Sequence, residues 1–333
     1  MTQGHGDDIH RYPHIRVNFS SNIYTHADLS ELKAYLCKHI GVIENYPEPE
    51  PYSLEAMIAQ RMDIPAACVL VTSGATEAIY LMAQTFAHRF RHYAIGCQPT
   101  FSEYADACEM FGMTRRDDRS HTDDALLWLC NPNNPTGIAL DSAAVKRMRH
   151  GYRLTVIDQS YEDYTFKPLM AAQDAVQDDR YVLIHSLTKT YAIPGLRIGY
   201  ITASPTIIRE LRHYVRPWAV NAMAIAAAKW LTAHDTKAIP DLEAYLAEAN
   251  WLRQQLNLIP GIKVGATHTS FMTASIEQAT ACELKEWLAT RHGLLVRDAS
   301  NFEGLTPHHF RISTQRRDEN MLLTAAIRQF VGE

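Results

Sequence analysis

Between Val69 and Thr202 the chain alternates short apolar runs with longer stretches of helical periodicity. The runs are Val69-Leu-Val-Thr72, Tyr93-Ala-Ile-Gly96, Leu126-Leu-Trp-Leu-Cys130, Leu154-Thr-Val-Ile157, Tyr181-Val-Leu-Ile-His185 and Ile198-Gly-Tyr-Ile-Thr202. Between them, residues 75–89, 102–111 and 141–150 carry the helical pattern. Short strands that are apolar throughout and separated by helices predict an α/β fold, with a mostly parallel sheet covered on both faces. Such sheets bind ligands at the carboxyl ends of their strands, and the distinctive motifs of this chain all fall there.

The 333 residues, 47% of them apolar, suffice for two lobes. After Pro217 the texture changes. Helical stretches over 221–233 and 241–258 precede shorter segments at 262–276, 281–292, 294–296, 309–313 and 317–330, which predict a smaller α+β lobe. Upstream, residues 28–40 read as a helix with Asp28 as N-cap, and a second helix runs from Ser53 to Ile64-Pro65. Tyr46-Pro-Glu-Pro-Glu-Pro51 between them is an extended connector. The alternation around Val17 and Phe19 predicts an N-terminal arm that docks in extended form and presents Asn22. The expected division is an arm over 1–30 packing on the small domain, a large domain over 31–236 and a small domain over 237–333.

A net charge of −5 with scattered basic residues gives no nucleic-acid footprint, and no apolar run is long enough to span a bilayer. The N-terminus lacks the pattern of a signal peptide. Six cysteines without metal-like pairing read as core residues in a reducing cytoplasm, with no metal expected.

The chemistry-bearing stretch is Ser186-Leu-Thr188-Lys189-Thr-Tyr-Ala-Ile-Pro194-Gly195-Leu-Arg197, which follows one strand and leads into another. A lone loop lysine is usually a solvated charge. Here hydroxyls stand one and three residues before it and an arginine eight after, a donor set that suits a phosphate. An amine held beside a phosphate ester is what a Schiff base with pyridoxal 5'-phosphate requires. Thr72-Ser-Gly74-Ala75-Thr76 ends a strand and opens a helix, so it is either an ordinary helix cap or an anion site. Phe101, in Pro99-Thr-Phe-Ser-Glu-Tyr104, is either a packing aromatic or a ring-stacking one, with Tyr104 second. Asn131-Pro-Asn-Asn134-Pro-Thr-Gly137 is a turn whose two X-Pro bonds can be cis. Asp158, directly after four apolar residues, is either a solvated turn residue or the partner of a cation. Arg297 and Arg311, each beside apolar strand residues, call for an anion from protein or ligand.

These motifs together resemble the fold-type-I pyridoxal-phosphate enzymes of the class I/II aminotransferase group over nearly the whole chain. The resemblance implies that Lys189 anchors the cofactor and that Asp158 meets its pyridinium nitrogen. It places Asn134 and Tyr161 at the phenolic oxygen, Phe101 on the ring, and Gly74, Ala75, Thr76, Ser186, Thr188 and Arg197 around the phosphate. Arg311 is implied at the substrate carboxylate, Arg297 at a substrate phosphate, and Asn22 from the arm at the substrate. Tyr46 is implied to reach the phosphate of a partner subunit, which makes the active unit a homodimer.

Within the group, His5-Gly-Asp-Asp-Ile, Asn18-Phe-Ser-Ser-Asn-Ile and Val296-Arg-Asp-Ala-Ser-Asn-Phe-Glu-Gly-Leu305 look more like threonine-phosphate decarboxylases than histidinol-phosphate aminotransferases. Asp7-Asp8 and Ile23-Tyr24 depart from the decarboxylase pattern. Three readings follow for a cytoplasmic protein with a small-molecule substrate. The first is decarboxylation of L-threonine O-3-phosphate, a step that serves cobalamin side-chain synthesis. The second is transamination of histidinol phosphate or another amino acid with 2-oxoglutarate. The third is a non-catalytic pyridoxal-phosphate module.

Overall fold

The computed structural model describes residues 8–116, 123–234 and 237–332. Strand β1 (Val17–Asn18) belongs to the arm. The large lobe contributes β2 (Val69–Thr72), β3 (His92–Ile95), β4 (Thr114–Arg115), β5 (Ala125–Cys130), β6 (Leu154–Asp158), β7 (Tyr181–His185) and β8 (Gly199–Ala203). They form one sheet in the order β2-β8-β7-β6-β5-β3-β4. The run from β7 to β4 is parallel, and β8 is antiparallel to both its neighbours. This is the mostly parallel α/β sheet that the alternation predicts.

Alternate residues of each strand point to opposite faces, and each face has its own core. On one side Val69, Val71, Leu127, Leu129, Ile157 and Leu183 pack beneath helices 30–38, 52–62 and 222–234. On the other, Leu70, Leu126, Trp128, Val156, Val182 and Ile184 pack beneath helices 75–86, 103–110 and 205–212. Both faces of the central strands are therefore covered, and their polar side chains, such as Thr155 and His185, are themselves buried.

The smaller lobe holds an antiparallel sheet of β9 (Ile262–Val264), β10 (Phe271–Ile276), β12 (Arg297–Asp298) and β13 (His309–Ser313), in the order β12-β13-β10-β9. Helices 242–257, 281–287 and 317–331 cover it. The arm joins this lobe: β1 pairs in parallel with β11 (Leu294–Leu295), and Phe19, fully buried, enters the same core.

Several local expectations are corrected. Asp28 lies one residue before the N-cap position of helix 30–38, where its carboxylate accepts the Ser30 N–H. Ser53 lies inside helix 52–62, and its hydroxyl is held by Glu48 in the connector. The helix expected to run to residue 89 ends at Phe86, and the one expected over 281–292 closes with a π turn at Leu288–His292. Cys37 and Cys282 are exposed rather than in the core, each on a helix face that meets no sheet. The His5–Asp7 part of the decarboxylase-like motif lies outside the described residues, as do residues 235 and 236 at the expected domain boundary. Among the described residues no helix is long and apolar enough to cross a membrane, and no group of three or more metal-ligating side chains occurs.

Candidate active site

The ends of β2, β5, β6 and β7, together with the arm and β13, enclose a cleft of about 270 Å³. Its wall includes Asn22, Ala75, Thr76, Phe101, Asn134, Asp158, Tyr161, Ser186, Thr188, Lys189, Arg197 and Arg311. Residues up to 291 positions apart thus share one space, because every strand of the parallel run delivers its carboxyl end to the same edge.

At one end the cleft is built for an anion. Helix 75–86 starts at its floor, so its first N–H groups and the positive end of its dipole face the space. Gly74 caps that helix at φ +85°, and a Cβ there would lie 2.7 Å from the Arg197 guanidinium. The arginine therefore lies against bare backbone, a fit that only glycine permits. Ser186 is buried at the N-cap of the short helix Leu187–Thr190 that carries Lys189. The Thr188 hydroxyl donates to the Ile198 carbonyl at 3.3 Å, tying that helix to the start of β8.

The middle is acidic and aromatic. Asp158 is 4% exposed at the end of β6. Its Oδ2 accepts from the Tyr104 hydroxyl at 2.8 Å and its Oδ1 from the Ser160 N–H at 2.9 Å. Phe101 meets Tyr104 edge-on at 5.8 Å. The Lys189 Nζ lies 5.7 Å from the centre of the Tyr161 ring. Burial pushes the Tyr161 phenol up to about 12, against a lowering by the Arg311 cation and the Asn22 hydrogen bond. Tyr161 thus stays a neutral donor at physiological pH.

At the far end Arg311, 6% exposed, donates to the Asn134 Oδ1 at 2.6 Å and to the Ser20 carbonyl at 2.6 Å. Asn134 lies between two X-Pro bonds, Asn131-Pro132 before it and its own to Pro135, and both are cis. Asn22 donates to the Tyr161 hydroxyl at 3.4 Å, while its own Oδ1 is buried with no hydrogen-bond partner in the chain. A buried amide oxygen left over in a cleft marks the place of a ligand donor.

Three cations, Lys189, Arg197 and Arg311, line this space against one carboxylate, Asp158. That balance suits a phosphate ester at one end and an acidic substrate at the other, with a carboxylate left to meet a protonated ring nitrogen between them. The residues present therefore fit pyridoxal 5'-phosphate.

Arg297 and Tyr46, the latter expected at a partner subunit's phosphate, lie outside this chain's cleft. Tyr46 is 83% exposed on the connector, tilted against Trp218 at 5.0 Å, and lines a separate hollow with Ile43 and Val220. Arg297 is buried behind the wall, where its guanidinium donates to Asn301 Oδ1 at 3.0 Å and lies over the Phe302 ring. Burial lowers its pKa, countered by the Asp298 and Asp8 carboxylates. The reason lies in the register: Arg297 and Arg311 are direct partners across β12 and β13, and only the inner strand reaches the cleft. Conversely, Ser20, Ser21, Ile23, Ile79, Cys130, Ser160 and Pro194 line the cleft without having been singled out. For Ser20 and Ser21 the signal was their place beside Asn22; Ile79 sits one helical turn after Ala75.

The fold and this cleft define a pyridoxal-phosphate-dependent enzyme of fold type I. The chain belongs to the class I and II aminotransferase family, whose model matches residues 14–327. Among solved structures it is similar to L-threonine-O-3-phosphate decarboxylase from Porphyromonas gingivalis. That likeness has 34% identity and a TM-score of 0.89 over 95% of this chain and all of that one. Among curated proteins it is 28% identical to threonine-phosphate decarboxylase of Salmonella typhimurium, over 94% of this chain and 90% of that one. It is 26% identical to a histidinol-phosphate aminotransferase of Caldanaerobacter subterraneus, over 91% and 90%.

Proposed function

We propose that this protein decarboxylates L-threonine O-3-phosphate, giving (R)-1-amino-2-propanol phosphate and carbon dioxide. The observation that carries the reading is the 34% identity to a decarboxylase of that substrate over the whole of its chain, with a TM-score of 0.89. The excess of cations in the cleft supports an acidic, phosphorylated substrate.

The positions of the side chains support the following proposed roles. Ala75, Thr76, Ser186 and Arg197 hold the cofactor phosphate, with Gly74 giving the guanidinium its room and Thr188 fixing the turn between them. Asp158, held by Tyr104 and the Ser160 N–H, keeps a proton on the ring nitrogen. Asn134 and Tyr161 donate to the phenolic oxygen, and Phe101 covers the ring. When bound, pyridoxal phosphate supplies a ring that takes up the electron pair left at Cα as carbon dioxide departs. Lys189 anchors the cofactor and then moves one proton from its ammonium to Cα, regaining it from solvent. Arg311, immobilised by Asn134 and Ser20, holds the substrate carboxylate in one direction, which selects the bond that breaks. Asn22 closes the cleft from the arm. Arg297, held by Asn301 behind the wall, would have to release that bond to meet a substrate phosphate.

The proposed units are the arm to residue 30, the large domain to 236 and the small domain beyond, in a cytoplasmic homodimer. The exposed group of Ile43, Tyr46 and Trp218 supports the dimer, since a second copy covering it brings Tyr46 toward the partner's phosphate.

The test is incubation of the holoenzyme with L-threonine O-3-phosphate, with and without 2-oxoglutarate. Carbon dioxide release without amino transfer supports the reading. Transfer to 2-oxoglutarate without carbon dioxide overturns it in favour of an aminotransferase, the activity named for the Caldanaerobacter relative.

A further inference from the structure

We propose that Tyr164 is a positioning residue that links the N-terminal arm to the backbone of Lys189, so that closure of the arm and the setting of the amine are one event. This rests on the reading of Lys189 as the cofactor anchor, but not on which substrate is used.

Tyr164 is fully buried in a cluster with Tyr161, Tyr245 and Phe271, at the junction of the two lobes and the arm. Its hydroxyl lies between two backbone groups of different parentage. It accepts from the Tyr24 N–H of the arm at 3.2 Å and donates to the Lys189 carbonyl at 3.1 Å. The directions are not interchangeable, because an amide N–H can only give a proton and a carbonyl can only receive one. A neutral phenol satisfies both at once. Burial, with the Tyr245 hydroxyl nearby, holds the Tyr164 phenol well above its usual range, so it remains neutral.

The neighbours of Tyr164 show why this contact differs from ordinary packing. Residues 161–164 form a single tight turn in which Tyr161, Asp163 and Tyr164 all address the lysine segment or the arm. Tyr161 faces the cleft and receives the Asn22 side chain. Asp163 accepts the Thr190 hydroxyl at 2.7 Å, which steadies the lysine turn but reaches no arm residue. Tyr164 hydrogen-bonds both to the arm and to the Lys189 backbone, whereas Tyr161 meets the Lys189 amine through its ring face. Asn22 and Tyr24 thus engage Tyr161, whose ring lies 5.7 Å from the Lys189 amine, and Tyr164, which bonds the Lys189 carbonyl. A shift of the arm is transmitted to the Lys189 carbonyl through two hydrogen bonds that share one hydroxyl, which the buried Tyr164 ring holds in place.

The experiment compares holoenzyme carrying Tyr164→Phe with wild type and with Tyr245→Phe. The second variant removes a hydroxyl from the same aromatic cluster, but one that donates to the Thr314 carbonyl and does not reach Lys189. Two quantities are read: amide exchange over residues 20–26, and visible circular dichroism per unit absorbance of the bound cofactor. The latter reports how the chromophore is set rather than how much is bound. Tyr164→Phe is expected to speed exchange in the arm roughly tenfold, about the effect of one lost buried hydrogen bond. It is also expected to lower the dichroism ratio by about half, with Tyr245→Phe changing neither; the tenfold step corresponds to about 1.4 kcal/mol. Movement of only one quantity, of neither, or of both in Tyr245→Phe as well overturns the proposal. So does failure of Tyr164→Phe to fold where Tyr245→Phe folds, since the hydroxyl would then be purely structural. Both readouts are taken without substrate, so failure of the decarboxylase reading leaves the result intact.

Discussion

The Tyr104 hydroxyl donates to Asp158 Oδ2 across 2.8 Å, while the Tyr104 ring is stacked on Trp128 at 5.1 Å. A strand-borne indole thereby fixes the phenol, and the phenol fixes the carboxylate under the cleft. Burial and the nearby carboxylate hold the Tyr104 phenol well above its usual range, so it stays a donor. Tyr104→Phe leaves a buried carboxylate one donor short. The expected loss is about 1–3 kcal/mol of stability, read by denaturant titration, with kcat/KM falling about tenfold. Asp158→Asn removes the charge itself and is expected to lower kcat by about 10²–10³ while the protein stays folded. Equal effects of the two variants on kcat would show that the charge has no special role.

Gly137 sits at φ +73° where the Asn-Pro turn meets the small lobe. A Cβ there would lie 2.1 Å from the Thr267 hydroxyl and 2.3 Å from the Phe271 carbonyl, so both conformation and space exclude a side chain. Gly137→Ala is expected to cost about 3 kcal/mol or more, seen as a lowered denaturation midpoint. Since Asn134 is three residues upstream, the variant is also expected to bind cofactor more weakly. A stability within about 0.5 kcal/mol of wild type would rule out that contact as drawn.

His268 joins the same two segments: its ring Nδ1 accepts the Ala139 N–H at 3.0 Å and its backbone N–H donates to the Gly137 carbonyl at 2.9 Å. Burial, with Lys167 nearby, lowers its pKa. The unfolded chain then binds the proton more readily than the folded one. The stabilising contribution is whole above about pH 6.5 and is lost as pH falls through that value toward the folded one. Wild type is therefore expected to lose more stability than His268→Gln between pH 7.5 and 5.5, in parallel denaturant titrations. Identical pH dependence in the two would remove His268 from the account.

What could be read from the sequence follows from how local each signal is. Strands such as Val69–Thr72 and Tyr181–His185 are legible because both faces of the sheet are buried, so each strand is apolar throughout. The Lys189 and Asn134 motifs are legible because a strand end, a turn and a helix start lie within a few residues. The Tyr104 to Asp158 contact is not, since it joins residues 54 apart, one on helix 103–110 and the other at the end of β6. Arg297 and Arg311 look equivalent in sequence, and only the order β12-β13-β10 tells which one reaches the cleft. The helix Pro205–Arg212 left a readable trace in Ser204-Pro205, an N-cap followed by proline, with Ile207, Ile208 and Leu211 on its inner face. Tyr46 lies outside the cleft of its own chain, and the contact expected of it is one with a partner subunit.

The anchoring role of Lys189 is open to a direct test. Among the described residues its amine is the one lysine nitrogen lining the cleft, 5.7 Å from the Tyr161 ring and on the short helix that Ser186 caps and Thr188 shares. Lys189→Ala removes the amine but leaves the helix start at Ala75, the Arg197 guanidinium and Asp158 in place. The variant is therefore expected to bind pyridoxal phosphate without covalent attachment, to lose the visible absorbance of the lysine-bound form, and to lose turnover by about 10⁴-fold or more. Added small primary amines are expected to restore a fraction of the proton transfer, because the cradle and the carboxylate site remain. Absorbance spectra before and after dialysis, with turnover in parallel, separate binding from attachment. Were the purified variant to keep both the visible band and its turnover, the anchor would have to be another lysine.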